Sequence, residues 1–378
     1  MSIDLAFRQN QLLLNPRLPT DRREIFAKAW RELAEPDFER HVGIVTSGSS
    51  GNSFGRLIIL SKDAIEASAR AVNERFGSGP HDIWFKSLPS FHVGGLGILV
   101  RAKLSGATVY EDREEKWNAE KFAEQLIISQ ATLVSLVPTQ VFDLVQAKIR
   151  APRTVRSVIV GGGRLEDSLR KQATELGWPC LPSYGMTETA SQVATALNPE
   201  DPRLVLLAHA DAKTSVDGHL VLRSSSILTA QISFDSSGVA TLTDPKVGGW
   251  FTTEDLVKIE DRALTIEGRA GDFIKIAGEG VVLARLEEHL ERLRLTSHFT
   301  KDAAIIAAKD SRLGAVLVML SDAPKAEAEE LAKKFNEDVA PFERIRRVEC
   351  VDRIPRSELG KLQRGLALSQ IGLEAFTN

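Results

Sequence analysis

Between about residues 42 and 190, short β-branched runs alternate with amphipathic stretches, and this pattern leaves few possible folds. The runs VGIVTS, GRLIILS, DIWFKSLP, ATVYED, TLVSLVP, VRSVIVGG and CLPSYG predict strands. The stretches SKDAIEASARAVNERF, NAEKFAEQLIISQ, TQVFDLVQAK and EDSLRKQATELG have helical spacing, with Ser61, Asn118 and Thr139 as expected N-caps. The alternation indicates an α/β fold in which mostly parallel strands are flanked by helices and ligands bind at the strands' C-terminal ends.

The pattern changes after about residue 204. Short runs with Gly and Asp turns (HLVLRS, AQISFD, GVATLTD, DLVKIED, ALTIEG) predict an antiparallel β subdomain of the same large domain. After Gly268–Arg269 a new αββαβ pattern begins, which predicts a small, mobile α+β domain with its own core. We therefore expect a large domain at 1–268 and a small C-terminal domain at 269–378.

Composition excludes several classes of function. With 43% hydrophobic and 26% charged residues and a net charge of -3, the chain has no strong basic field for nucleic acid or an anionic membrane. Cys180 and Cys350 are far apart and form no CxxC pattern, which argues against a disulfide scaffold or a zinc site. No secretory signal or membrane-spanning run is evident, so a cytoplasmic protein without stable membrane insertion is expected.

The first segment with chemical potential is the turn TSGSSG at residues 46–51, between two predicted strands. Its hydroxyls and backbone N–H groups can cradle phosphate oxygens, because glycine lets the backbone approach closely. A Walker loop is excluded, since that motif is GxxxxGK[ST] and opens a helix. A flexible hairpin turn is the alternative.

A second segment, SYGMTET at residues 183–189, follows a predicted strand and is expected to precede a helix. Its aromatic ring can stack on a purine, its threonines can bond a phosphate and its carboxylate can hold Mg²⁺. The alternative is a strand end followed by a helix that Thr187 caps.

Two further segments lie toward the C-terminus. GWFTTEDL at 249–256 is followed by Gly268–Arg269, and an aspartate with a nearby arginine can hold a nucleoside. A surface salt bridge between Asp255 and Arg269 is the alternative. In RSELGK at 356–361, Lys361 can reach a site as a mobile cation or can be an ordinary solvated lysine.

These four segments occur in the same order in the adenylate-forming (AMP-binding) superfamily of acyl- and aryl-CoA ligases, luciferases and peptide-synthetase adenylation domains. The chain resembles that superfamily from about residue 40 to its C-terminus. The resemblance implies an acid–thiol ligase that uses ATP, Mg²⁺ and coenzyme A. A carboxylate would attack the α-phosphate of ATP, and the acyl group of the resulting acyl-adenylate would then pass to the CoA thiol.

The resemblance also implies roles for individual residues. The nucleotide-binding residues would be Thr46, Ser47, Gly48, Ser49, Ser50 and Gly51 on the phosphates, Gly162, Gly163, Tyr184, Gly185 and Met186 around the adenine, and Asp255 and Arg269 on the ribose. The catalytic residues would be Thr187 on the α-phosphate, Glu188 on Mg²⁺, Lys361 between the carboxylate and the α-phosphate, and Lys275 during thioester formation. Gly271 would be the pivot on which the small domain turns between the two steps.

Within the superfamily, LPSFHVGGLGILVRAKLSGATVY (88–110) and SYGMTETASQVAT (183–195) resemble the o-succinylbenzoate–CoA ligases of menaquinone biosynthesis. This implies an acid pocket that contains Arg101, His92 and Ser191, in which Arg101 holds the succinyl carboxylate. An arginine in an apolar run is costly to bury without an anionic partner. An exposed helix position or an internal salt bridge is the alternative for Arg101, and a packed neutral histidine is the alternative for His92.

The chain departs from the superfamily pattern in three places. The phosphate-loop lysine is replaced by Phe54, and Arg56 is a candidate substitute if strand alternation directs it correctly. Glu254 replaces the glycine of the Thr-Gly-Asp motif. The phosphate loop begins at residue 46, roughly a hundred residues earlier than in typical relatives. This shortening would expose a sheet edge that a second subunit could cover, so we expect a homodimer.

Other functions stay open at this point. Another acyl- or aryl-CoA ligase would differ only in its acid pocket. A peptide-synthetase adenylation domain would be followed by a carrier domain, whereas this sequence ends soon after Lys361. A degenerate nucleotide-binding regulator is the alternative from another class. Phe54 motivates it, while Asp255, Arg269 and Lys361 argue against it.

Overall fold

The computed structural model describes residues 9–46, 55–111, 117–235, 237–269, 273–276, 279–357 and 360–374, with only the backbone at 273 and 275. The described residues form two compact units. The first contains those up to Thr253 together with Val257–Thr265, and the second contains Glu254–Leu256 and those from Ile266 onward. The boundary that the sequence predicts at 268 stays a prediction.

The strands are numbered along the chain. They are β1 Gln11–Leu13, β2 His41–Thr46, β3 Arg56–Ser61, β4 Ile83–Lys86, β5 Thr108–Glu111, β6 Leu133–Leu136, β7 Ser157–Val160, β8 Cys180–Met186, β9 Ser191–Ala196, β10 Leu204–Leu206, β11 Ala210–Thr214, β12 His219–Ser224, β13 Ala230–Phe234, β14 Ala240–Thr243, β15 Lys246–Val247, β16 Trp250–Glu260, β17 Ala263–Arg269, β18 Phe273–Ile276, β19 Glu279–Val282, β20 Ala303–Asp310, β21 Gly314–Ser321 and β22 Ile345–Cys350.

The α-helices are numbered in the same way. They are α1 Thr20–Ala29, α2 Lys62–Phe76, α3 Val93–Ser105, α4 Ala119–Ser129, α5 Pro138–Gln146, α6 Asp167–Glu175, α7 Leu283–Thr296, α8 Lys325–Glu337 and α9 Arg364–Gln370. A π-helical turn at Trp30–Ala34 continues α1, and 3₁₀ turns form at Thr187–Thr189 and Pro341–Glu343.

A large mixed sheet is the framework of the first unit. Its neighbouring strands β5, β4, β6, β7 and β8 are all parallel, and helices α3 to α6 connect them in turn. The sheet continues from β8 through β9, β10 and β17 with antiparallel pairs. The α/β class predicted from the alternation is confirmed, and so is the prediction of antiparallel strands after residue 204. The carboxyl ends of β6, β7 and β8 lie side by side, where ligands bind in such sheets.

The first two predicted strands do not join the parallel set. β2 and β3 pair antiparallel in a separate sheet of order β1-β2-β3-β13-β14, so the expectation of one mostly parallel sheet from residue 42 is corrected here. The physical reason is that the segment between β2 and β3 is too short to hold the crossover that parallel neighbours need.

Two of the three predicted N-caps are confirmed. Ser61 accepts a hydrogen bond from the Ala64 N–H, and Asn118 accepts one from the Lys121 N–H. Thr139 is wrong, because α5 already begins at Pro138, after an N-cap at Val137. Proline suits the first helical position, since its fixed φ matches the helix and its missing N–H would have no intrahelical partner there.

The second unit contains the predicted αββαβ pattern as α7, β20, β21, α8 and β22. The strand order is β20-β21-β22, with the first pair antiparallel and the second parallel. Alternate residues of β20 and β21 face two apolar clusters. Ile305 and Leu317 pack in the cluster that contains residues of α7 and α8, whereas Ile306 and Val318 pack with residues of α9. Both sheet faces are therefore covered.

Two kinds of feature are absent from the described residues. Among them, no helix combines the length and apolar character needed to cross a bilayer. The same residues contain no group of three or more His, Cys, Asp or Glu side chains suited to hold a metal ion.

Candidate functional site

The predicted adenine turn and the predicted Tyr184 segment are neighbours at the carboxyl ends of β7 and β8. Gly161 follows β7, and its N–H donates to the Leu136 carbonyl at the end of β6. The Ser183 hydroxyl donates to the Val160 carbonyl over 2.9 Å, which ties the two strand ends together. Gly162 has a φ of +77°, and both Gly162 and Gly163 are exposed, whereas Tyr184 is half-buried. The result is an open backbone turn beside an aromatic ring.

Gly185 is explained by packing between strands. A Cβ at this position would meet the Ser191 carbonyl oxygen at 2.1 Å and the Gln192 Cα at 2.4 Å. The register of β8 against β9 shifts between Tyr184 and Gly185, so the two backbones approach closely at this irregularity. Glycine therefore lets the strand bend where Met186 and the following polar residues begin.

The predicted helix after this segment is absent. A 3₁₀ turn at Thr187–Thr189 leads directly into β9, so the expectation of a helix that Thr187 caps is wrong. The Thr189 hydroxyl instead lies within hydrogen-bond distance of the Met186 and Ser191 carbonyl oxygens as a donor. These contacts close the chain into a tight turn. In this turn Thr187 is half-buried and Glu188 is buried.

Glu188 lies close to Arg56, although the two residues are far apart in the sequence. The distance between Arg56 Nη2 and Glu188 Oε1 is 3.6 Å, and their side chains are 25% and 10% exposed. Thr46, at the end of β2, is paired directly with Arg56 on β3. Directly opposite residues of an antiparallel pair have side chains on the same sheet face. The fold thus collects a hydroxyl, a guanidinium and a carboxylate from three separate segments.

Arg101 and Ser191, both predicted in the acid pocket, are in contact. Arg101 is 2% exposed, and its Nη2 donates to the Ser191 hydroxyl over 2.8 Å. The guanidinium lies over the Trp84 ring, 5.6 Å from its centroid. Burial lowers the pKa of Arg101 to about 10, so the group is still charged at neutral pH. Within the described part of the chain, no carboxylate lies at ion-pair distance from it.

These contacts correct the alternatives that the sequence left open for Arg101. It lies on a helix, α3, but is buried, and no internal salt bridge holds it among the described residues. Its Nε has no hydrogen-bond partner there. A cation buried this deeply is costly unless an anion joins it.

Two residues that the sequence did not single out shape this position. Trp84 on β4 supplies the ring beneath the guanidinium. Gly97, four residues before Arg101 on α3, leaves room for it, since a Cβ there would meet Arg101 Nη2 at 3.1 Å. The sequence contained a sign of the role of Gly97, because residues four apart on a helix, such as Gly97 and Arg101, lie on the same face.

His92 precedes α3 and is half-buried. Burial lowers its pKa to about 4, so the imidazole is neutral at physiological pH. Its ring contacts Phe91, with centroids 4.8 Å apart, and its Nε2 has no hydrogen-bond partner within the described residues. The packed neutral histidine that the sequence left open therefore fits, and the orphan nitrogen is also compatible with a ligand contact.

Asp255 and Arg269 are brought together as predicted from their motifs. Arg269 Nε lies 2.9 Å from Asp255 Oδ1, and the Asp255 side chain is 10% exposed. Glu254, at the position of the family glycine, is 3.6 Å from Arg269 Nη2. The extra carboxylate thus shares the arginine with Asp255. The salt bridge considered as an alternative is therefore present, although its aspartate is only 10% exposed, and the role of the pair on the ribose stays a prediction.

Lys361 lies on a short two-stranded turn of the second unit. Arg356 forms an isolated bridge with Leu362, and the Lys361 N–H donates to the Ser357 hydroxyl. Arg356 grips both carboxylate oxygens of Asp302 at 2.6 and 2.8 Å, and its Nη1 donates to the Gly360 carbonyl. Although burial acts to lower the pKa of Arg356, the paired Asp302 raises it above its ordinary value. The turn beside the exposed Lys361 is therefore anchored by a half-buried ion pair.

Several predicted residues lie outside the described set. They are Ser47, Gly48, Ser49, Ser50 and Gly51 of the phosphate loop, the hinge Gly271, and the side chain of Lys275, whose backbone belongs to β18. Two open hollows, of about 440 and 460 Å³, are lined by none of the predicted site residues. Chemistry rather than cavity size therefore identifies this candidate site.

Comparison with known proteins gives a family match and several similar CoA ligases. Residues 39–213 match the model of the AMP-binding enzyme family. The 2-succinylbenzoate–CoA ligase of Bacillus licheniformis is 28% identical over 337 residues, covering 84% of this chain and 68% of that protein. The corresponding ligase of Listeria monocytogenes is 26% identical over 356 residues, covering 89% of this chain and 74% of the relative.

Solved structures share the fold. The o-succinylbenzoate CoA synthetase of Bacillus subtilis in complex with its acyl-adenylate intermediate has a TM-score of 0.70 at 24% identity, covering 85% of this chain and 68% of that one. The same enzyme with ATP and magnesium ion has a TM-score of 0.69 at the same identity and coverage. These likenesses confirm the large N-terminal and small C-terminal architecture.

Proposed function

We propose that the chain is an ATP-dependent acid–CoA ligase of the adenylate-forming superfamily and that its acid is o-succinylbenzoate. The observation that carries the acid assignment is the buried contact of Arg101 with Ser191. It offers a charged guanidinium, with donor capacity left over, to a second carboxylate of the substrate. A monocarboxylic acid would leave this charge uncompensated.

In the first half-reaction, a carboxylate must approach the α-phosphate of ATP, so two anions come together. Catalysis then depends on alignment and charge neutralisation. The Gly162–Gly163 turn and Tyr184 would hold the adenine, and Asp255 with Arg269 would hold the ribose. Thr46 and Thr187 offer hydroxyls to the phosphates. Lys361 would meet the attacking carboxylate and the α-phosphate as a positive charge.

Glu188 fits a Mg²⁺ ion that arrives with the nucleotide. Proteins usually hold this ion through one or two carboxylates, with the remaining positions taken by phosphate oxygens and water. Glu188 is a single buried carboxylate that already faces a cation, Arg56, at 3.6 Å. When bound, Mg²⁺ would supply charge neutralisation of the phosphates.

The second half-reaction transfers the acyl group to the CoA thiol, with AMP as the leaving group. We propose that the small domain turns about Gly271 between the steps, which withdraws Lys361 and presents Lys275. We also propose that the protein forms a homodimer and that it is located in the cytoplasm. Light scattering after gel filtration would test the first, and cell fractionation the second.

The decisive experiment incubates the protein with ATP, Mg²⁺, CoA and o-succinylbenzoate and identifies the products by mass spectrometry. We expect o-succinylbenzoyl-CoA and AMP. The variant Lys361→Ala is the control, and it should lose about 3–4 kcal/mol of transition-state stabilisation in adenylation. Thioester formation with another acid but not with o-succinylbenzoate would overturn the acid assignment. ATP binding without pyrophosphate release for any acid would favour the regulator.

A further inference from the structure

Arg56 is a charged residue to which the superfamily motifs assign no role. It is the first residue of β3 and is paired across the hairpin with Thr46, so it lies on the same sheet face as a predicted phosphate-binding hydroxyl. Its guanidinium reaches toward Glu188, at 3.6 Å. The pairing therefore places Arg56 on the same sheet face as Thr46 and within ion-pair distance of Glu188, although its side chain is still 25% exposed.

The pairing of Arg56 with Glu188 leaves binding capacity unused. The separation of 3.6 Å fits an ion pair but exceeds an ordinary hydrogen bond. The buried Nε of Arg56 has no hydrogen-bond partner among the described residues. A guanidinium carries five N–H donors in a planar fork that matches phosphate oxygens. Arg56 thus has donors available for an oxyanion that approaches from the side of Thr46.

The sequence lacks a cation elsewhere in this region. The position at which the superfamily carries the phosphate-loop lysine is Phe54 in this chain. The run from Thr46 to Leu60 contains one basic residue, Arg56. The terminal phosphates of ATP would therefore meet their local positive charge at Arg56.

We propose that Arg56 binds the β- and γ-phosphates of ATP and that it exchanges partners when the nucleotide arrives. Without nucleotide, Arg56 neutralises the buried Glu188. With Mg²⁺ and ATP present, Glu188 turns to the metal ion and Arg56 turns to the phosphates. The exchange keeps each charge paired in both states, which avoids leaving a buried carboxylate alone. This inference rests on the proposed ATP-dependent function, and it assigns a specificity role to a residue outside the superfamily's motif positions.

The test compares the binding of ATP with that of AMP, which lacks the β- and γ-phosphates. Isothermal titration calorimetry with Mg²⁺, and without acid or CoA, gives both dissociation constants for the unmodified protein and for Arg56→Gln and Arg56→Lys. We expect Arg56→Gln to weaken ATP binding by roughly ten- to hundredfold, the range of a charge-assisted hydrogen bond, and to leave AMP binding unchanged. Arg56→Lys, which retains the charge but not the fork, should lose less.

A matched control is Arg40→Gln, since Arg40 precedes β2 and forms an ion pair of 3.0 Å with the exposed Asp63. It should bind both nucleotides like the unmodified protein. Equal weakening of ATP and AMP by Arg56→Gln, or no weakening in a variant with an unchanged melting temperature, would overturn the inference while leaving the ligase proposal in place. If the unmodified protein bound neither nucleotide, the proposed function and this inference would both fail.

Discussion

Arg101 connects the cost of burying a charge with the choice of substrate. Its guanidinium is 2% exposed and contacts a hydroxyl and an aromatic ring, which do not neutralise a full positive charge. The sequence could predict the importance of this residue, because an arginine within GILVRAKL is unusual. It could not predict the contact with Ser191, since the two residues are 90 positions apart.

We predict that Arg101→Met separates stability from acid binding. Methionine fills much of the same apolar space without a charge, so the melting temperature of the ligand-free variant should equal or exceed that of the unmodified protein. The KM for o-succinylbenzoate should rise by about a hundredfold, because a charge-assisted pair with the carboxylate is lost. Steady-state kinetics and thermal unfolding measure the two effects.

Arg70→Gln is the matched control, because Arg70 lies on α2, is 65% exposed and pairs with Glu66. A marked fall in melting temperature for Arg101→Met with an unchanged KM would assign Arg101 a structural role instead.

His92 should make stability depend on pH. Burial lowers its pKa from 6.5 to about 4 in the folded protein. The unfolded chain therefore binds a proton below pH 6.5 that the folded chain does not bind until about pH 4, so stability falls as the pH falls through this window. The contribution is on the order of 2–3 kcal/mol. His92→Gln should flatten this part of the curve, as measured by urea unfolding between pH 7 and pH 4.

Two comparisons sharpen that experiment. His209 has its pKa lowered to about 4 by burial as well, so part of the pH dependence should persist in the His92 variant. His81, which is exposed, offers the matched control variant His81→Gln. An unchanged slope in His92→Gln would contradict the assignment.

At the scale of elements, periodicity predicted the strands and helices of the parallel sheet well but could not predict their partners. The hydrophobic pattern of GRLIILS fits a strand in either sheet, whereas its antiparallel pairing with β2 and β13 depends on contacts distant in sequence. The glycines of VGGLGILV concealed α3, because glycine lowers helix propensity although packing stabilises the helix here. The turn after Met186 was missed because a single 3₁₀ turn has no periodicity.

The turn that bears Lys361 provides a prediction for an element. Asp302→Asn removes the charge that holds Arg356, while keeping the side-chain shape. We expect the second unit to lose about 1.5–3 kcal/mol of stability, the value of hydrogen bonds to a charged group. Adenylation should slow by roughly tenfold, since Lys361 is positioned through Arg356, whereas AMP binding should not change.

Stopped-flow pyrophosphate release and calorimetry measure these two quantities. Lys309→Gln is the control, because its ion pair with Glu374 is 61% and 80% exposed and should contribute little. A loss of AMP affinity equal to the loss of rate would show that Asp302→Asn acts through general unfolding.

For the whole molecule, the change of pattern after residue 268 predicts a second domain, because αββαβ patterning with its own apolar positions indicates an independent core. The site residues were predicted from the order of the motifs. Their physical grouping, such as that of Thr46, Arg56 and Glu188, required the folded chain, since periodicity carries no information on which strand ends meet.

The last prediction concerns the turn of the small domain between half-reactions. Gly271 lies outside the described residues, but glycine in general accepts large dihedral changes at little steric cost. Gly271→Pro fixes φ at the proposed pivot. Adenylation, measured as pyrophosphate release, should be retained, while CoA thioester formation from the bound acyl-adenylate should slow by about tenfold or more. Gly271→Ala, which keeps a rotatable φ, should retain more of the second step. Equal loss of both half-reactions in Gly271→Pro would contradict a pivot at this residue, because rotation is required only after the adenylate has formed.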